Sequence, residues 1–152
     1  ATAADAVPEA ELWVMAPMVI GPQETRAFAE LARDHGLTKV GVMVEVPEIV
    51  EHLSEVLEVV DFLSIGTNDL AQYTLGKNRH GAGADISDAR ESEVMALISR
   101  TITAANSRKI PVGVCGEAAA DPVAAKAFVE FGVDSLSASS ALLPQLKAAL
   151  LA

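Results

Sequence analysis

The sequence predicts an α/β fold built on a parallel sheet, and three observations carry that expectation. Short runs rich in Val, Leu and Ile alternate with longer stretches of helical periodicity along most of the 152-residue chain. Aromatic residues are only 4% against 51% apolar residues overall, so the core must be aliphatic, as it is in sheets covered on both faces. Polar residues with ligating or reactive groups recur at the carboxyl ends of successive apolar runs. A (β/α)8 TIM-type barrel gathers such ends on one face. A dinucleotide-binding doubly wound sheet would instead carry a glycine-rich phosphate fingerprint after a strand, and none follows any strand here. A barrel takes about 250 residues, so this chain supplies about five βα units of one.

The elements follow in order. Residues 1–10 are Ala-rich without a basic n-region and read as a frayed lead-in, leaving 11–152 as a single partial barrel domain. Residues 11–16 are strand-like, and 22–35 form a helix that Gly21-Pro22 opens and Gly36 closes. A strand is expected over 37–44, ending at Glu45, and a Pro-initiated helix over 47–57 with Ile49, Leu53, Val56 and Leu57 on one face. The strand over 59–65 runs into Asn68 and Asp69, and 76–88 is a polar, glycine-bearing loop. Residues 91–107 form an amphipathic helix with Val94, Leu97, Ile98 and Ile102 inward. A strand over 110–114 ends at Cys115-Gly116-Glu117. A helix over 122–132, a short strand over 135–138 and a helix over 141–151 complete the chain.

Composition narrows the function classes. A net charge of −10 with no basic cluster excludes nucleic acid as a natural partner. The single cysteine rules out an internal disulfide and suits a reducing, cytoplasmic setting. No apolar run is long enough to span a bilayer, so membrane insertion is not expected.

The run Ser64-Ile65-Gly66-Thr67-Asn68-Asp69-Leu70 is the most informative stretch. Asp69 is a hard oxygen ligand of the kind Mg²⁺ prefers, and Asn68 can donate to a phosphate or carboxylate. Arg79 follows with a fixed positive fork suited to an oxyanion. The plainer reading is an Asx-type turn capping the next helix. Glu45 could likewise be a helix N-terminal charge, Cys115 a small buried apolar residue and Arg79 a solvated side chain. Glu117 is assigned no chemical role, and His35, His52 and His80 sit in no recognisable phosphohistidine setting.

Three motifs in order carry a family resemblance: Gly41-Val42-Met43-Val44-Glu45-Val46-Pro47, then Asp61 to Leu70 with Gln72-Tyr73-Thr74, then Gly113-Val114-Cys115-Gly116-Glu117. Together they resemble the PEP-utilising enzymes, most of all the PEP-protein phosphotransferases (enzyme I of the phosphoenolpyruvate:sugar phosphotransferase system), over about residues 13–151. The resemblance implies the C-terminal part of a PEP-binding barrel, strands four to eight. It implies Glu45 and Asp69 as ligands of Mg²⁺, with Asn68, Asp69 and Arg79 at the substrate. Asn68 and Arg79 would contact the phosphate, and Cys115 would deliver a proton to C3 of the enolate, giving pyruvate. It also implies a phosphohistidine domain and a phosphocarrier protein as partners in the full-length system, and a homodimer. The family's PEP-gripping arginines and phosphorylated histidine are not in this chain, so it is expected to be inactive alone and to expose two barrel edges. Other PEP-utilising enzymes (pyruvate phosphate dikinase, PEP synthase) and a non-catalytic dimerisation module are the alternatives. The stretch Gly81 to Arg90 departs from the family pattern, as do Ala118 and Ala120, where the family commonly has Leu and Gly.

Overall fold

A computed structural model describes residues 9–76 and 86–151. Residues 1–8 of the expected lead-in, most of the expected 76–88 loop, Arg79 and His80 lie outside the described residues. The chain runs β1 (Trp13–Ala16), α1 (Pro22–Asp34), β2 (Lys39–Val44), α2 (Glu48–Glu51), α3 (Leu53–Val56), β3 (Phe62–Gly66) and α4 (Thr67–Leu75). After a 3-10 turn at Ile86–Arg90 come α5 (Ser92–Ser107), β4 (Val112–Cys115), a 3-10 turn at Glu117–Ala120, α6 (Pro122–Phe131), β5 (Ser135–Leu136) and α7 (Leu143–Leu151).

The five strands are all parallel and lie in the order β1-β2-β3-β4-β5. A doubly wound sheet reverses its strand order at a switch point, whereas a barrel wall never does. Strictly sequential order therefore makes this sheet an arc of five consecutive barrel units. Strand alternation sorts the side chains into two faces. Val42, Val44, Leu63, Ile65, Val112 and Val114 are buried toward the helices, in one core with Ile49, Val56, Ile98, Ile102 and Phe128, while Val40 is buried in a smaller cluster with Ala29 and Ala32 of α1. The opposite, concave face carries Trp13, Met15, Phe62, Ser64 and Gly113 around a groove of about 290 Å³. The Phe62 ring lies across Gly41, its register partner, and meets the Trp13 ring at 4.8 Å.

Helix ends follow local rules with one exception. In α1, Leu37 donates to the Ala32 carbonyl and Gly36 (φ +80) to Arg33, a Schellman stop, and Gly132 (φ +92) closes α6 in the same way. The same bonds close α5, Ile110 to Ala105 and Lys109 to Asn106, but there a lysine takes the left-handed position at φ +57. Two strands are stitched at their amino ends by one device. Asp61 Oδ2 accepts from the Val40 N–H at 3.0 Å, and Asp134 Oδ2 from the Val112 N–H at 2.8 Å.

Some boundaries differ from the sequence expectation. The helix expected over 47–57 breaks at His52, whose backbone (φ −110, ψ 13) leaves the helical region between α2 and α3. The strand expected from 59 begins at Phe62, because Val59 and Val60 still donate to the Val56 carbonyl and so extend the α3 turn. The strand expected from 110 begins at Val112, since Ile110 is spent on the α5 stop. β5 shortens to Ser135–Leu136, and the last helix starts at Leu143 rather than 141.

Candidate functional site

The site lies at the carboxyl ends of β2, β3 and β4, on the concave face. Val44 pairs with Ile65 and Gly66 with Cys115, so extending the register by one residue sets Glu45, Gly66 and Cys115 in one row across three strands. Two strand spacings separate Glu45 from Cys115, about 10 Å between backbones. That interval suits a small molecule with one end at a carboxylate and the other at a thiol.

Glu45 is 4% exposed, and its Oε1 accepts the Met18 N–H at 2.7 Å. Met18 holds a left-handed backbone (φ +56), a conformation that costs a non-glycine residue, and in it directs its N–H at the carboxylate. Oε2 leans over Gly66: a Cβ there would stand 2.7 Å from it and 3.1 Å from Met43 Cε. Gly66 has an ordinary φ of −90, so what it supplies is room for the carboxylate. Among the described residues no Lys, Arg or His pairs with Glu45. A buried carboxylate holding one N–H and no cation is costly unless a cation completes it.

The Thr67-Asn68-Asp69 run forms the first turn of α4, with Gly66 as N-cap and no side-chain cap. The Asx-type cap is therefore not what Asn68 does. Its Oδ1 instead accepts the Glu117 N–H at 3.1 Å, reaching the turn after β4. Thr67, fully buried, donates its hydroxyl to the Cys115 carbonyl at 2.9 Å. Gly116 sits between these contacts at φ +98, ψ 177, a region almost confined to glycine, and a Cβ there would collide with Thr67 Oγ1 and Asn68 Oδ1. The first turn of α4 thus clamps the Cys115-Gly116-Glu117 backbone. With Oδ1 engaged, Asn68 has its two amide N–H groups left to offer, so it would suit an oxyanion rather than a donor.

Asp69 is half-buried in the same first turn, where the helix dipole favours an acid. Cys115 is partly buried, and the Ser64 hydroxyl donates to its sulfur at 3.8 Å. The structure thus brings Glu45, Asn68, Asp69 and Cys115 to adjoining strand ends, while Arg79 lies outside the described residues. Sequence reasoning passed over Met18, Ser64, Gly66 and Thr67 as site-building residues. A signal was present for the last three, since a glycine, a threonine and a lone serine interrupt an otherwise apolar strand end. Among the described residues no three His, Cys, Asp or Glu side chains cluster as a metal site. Two carboxylates, one of them buried without a cation, fit a hard divalent ion that keeps its remaining positions for water and ligand oxygens, as Mg²⁺ does. No helix among the described residues is long and apolar enough to cross a membrane.

Residues 2–152 match a family described as PEP-utilising enzyme, PEP-binding domain. A phosphoenolpyruvate-protein phosphotransferase of Streptomyces coelicolor is 43% identical over 152 residues, covering 99% of this chain and 27% of that protein. A probable phosphoenolpyruvate synthase of Archaeoglobus fulgidus is 37% identical over 132 residues, 83% of this chain and 18% of its own length. The chain thus spans about a quarter of the first of these relatives, 27%. Among solved structures, an HpcH/HpaI aldolase/citrate lyase family protein of Burkholderia cenocepacia superposes with a TM-score of 0.63 at 21% identity, over 90% of this chain and 62% of that one. A citrate lyase of Burkholderia xenovorans gives 0.65 at 18% identity, over 91% of this chain and 48% of that one. At such identities these two speak to the fold alone.

Proposed function

The chain belongs to the PEP-utilising enzymes through their PEP-binding domain, and we propose that it forms one wall of the PEP site of a PEP-protein phosphotransferase. The observation that carries this reading is the row Glu45, Gly66, Cys115, with the Asn68 amide on the adjoining helix turn. Glu45 and Asp69 would hold Mg²⁺. When bound, that ion would neutralise charge on the phosphate and carboxylate of PEP and on the enolate left behind. Asn68 would donate to a phosphate oxygen, and Arg79 would add a fixed positive fork there.

Cys115 would complete the reaction. As the enolate C2–O⁻ becomes a carbonyl, its π electrons take the thiol proton to C3; the S–H bond breaks and its electron pair stays on sulfur. The phosphoryl group would pass to a histidine outside this chain and onward to a phosphocarrier protein, in a cytoplasmic system. The relative named a probable PEP synthase shares the same domain, so the choice of acceptor rests on parts of the parent enzyme beyond this wall. A five-strand arc cannot surround a substrate, so this chain by itself is expected to bind Mg²⁺ weakly and not to turn over PEP. Among the described residues its outer strands β1 and β5 are paired on one side only, which suits them to self-association, and light scattering over a concentration series would report it.

The test is calorimetric titration of the chain with Mn²⁺, and then with PEP in its presence. Binding of the ion that Glu45→Gln abolishes while the melting temperature holds supports the reading. Equal binding by wild type and Glu45→Gln overturns it.

A further inference from the structure

We infer that Ser64 is a positioning residue for the Cys115 sulfur. It holds the thiol in place and stabilises the thiolate once the proton has left. The inference rests on the reading of Cys115 as proton donor, but its test does not. Ser64 lies on β3 one alternation step below Gly66, facing the concave groove, with Gly113 as its cross-strand partner. Strand positions favour β-branched or aromatic residues, and serine here, between Leu63 and Ile65, gives up both packing and propensity. Its hydroxyl donates to Cys115 Sγ at 3.8 Å, within the longer reach of a sulfur hydrogen bond. Among the described residues neither Ser64 Oγ nor Cys115 Sγ has another hydrogen-bond partner, so the two groups form an exclusive pair.

The backbone beneath the pair is fixed independently. Thr67 holds the Cys115 carbonyl at 2.9 Å, and Asn68 holds the Glu117 N–H at 3.1 Å. The Cys115 backbone is therefore held in place, and among the described residues the Ser64 hydroxyl is the group placed to meet charge on sulfur. A hydrogen bond to an ionised acceptor is stronger than one to its neutral form, so the bond strengthens as the proton departs. It favours the thiolate without supplying or taking a proton.

The single cysteine makes the test clean, because every alkylated molecule reports on Cys115. The chain is treated with iodoacetamide at neutral pH, without metal or PEP, and the modified fraction is followed by mass spectrometry. Ser64→Ala loses the side-chain hydrogen bond to the reacting sulfur and should be alkylated about fivefold more slowly. Ser64→Thr keeps the hydroxyl, and its extra methyl has room in the groove of about 290 Å³; it should restore the rate. An unchanged rate in Ser64→Ala, or a slowed rate that Ser64→Thr fails to restore, overturns the assignment. Failure of PEP with Mn²⁺ to protect Cys115 in the same assay would count against the PEP reading while leaving the Ser64 result standing.

Discussion

Gly116 tests whether the clamp between α4 and the turn after β4 is real. Gly116→Ala meets two separate penalties. Its backbone, at φ +98 and ψ 177, costs a residue with a Cβ about 2 kcal/mol. The Cβ would also fall onto Thr67 Oγ1 and Asn68 Oδ1, the atoms that bond the Cys115 carbonyl and the Glu117 N–H. Displacing both bonds adds about 1 kcal/mol each, for a total of about 4 kcal/mol. Gly36→Ala is the internal control: Gly36 also has a positive φ, +80, but nothing lies within 4 Å of its Cβ direction. Only the backbone penalty of about 1–2 kcal/mol applies there. At about 2–4 °C per kcal/mol for a domain of this size, Gly116→Ala should melt about 10 °C below wild type and Gly36→Ala about 4 °C below. Thermal unfolding followed by far-UV circular dichroism reads both. Equal losses in the two variants would refute the packing argument, because they would reduce Gly116 to a backbone conformation without a clamp.

Gly66→Ala should push the Glu45 carboxylate off its seat and weaken Mn²⁺ binding by about tenfold, read by calorimetry, since its Cβ would stand 2.7 Å from Oε2. Asp134→Ala leaves the Val112 N–H without its acceptor and should cost about 1–3 kcal/mol in urea unfolding. Lys109→Gly should stabilise the chain by about 0.5–1 kcal/mol in the same measurement, because glycine relieves the left-handed strain at φ +57 and its greater freedom in the unfolded chain offsets part of the gain.

Much of the fold was legible in the sequence because its signals are local. Gly36 and Gly132 mark helix stops by the conformation they permit, and the amphipathic period of α5 names Val94, Ile98 and Ile102 as its buried stripe. Aliphatic runs mark strands, though boundaries slipped where a helix borrowed residues for its own closure, as α5 did with Ile110 and α3 with Val59 and Val60. Lys109 in a glycine's place and the break at His52 left no local mark, since neither residue type prescribes the backbone it adopts.

The sequence by itself determined the class of fold, the succession of its units and the chemical identity of Glu45, Asn68, Asp69 and Cys115. Only the tertiary structure decided that Glu45, Gly66 and Cys115 stand in one row, and that Glu45 is buried without a cation. It alone turned Thr67 and Asn68 from a supposed cap into a clamp, and gave Ser64 its sulfur partner. The reason is the span of the contacts. The hydrogen bonds that build the site join residues 27, 48, 49 and 51 positions apart, across strand registers that no local periodicity encodes.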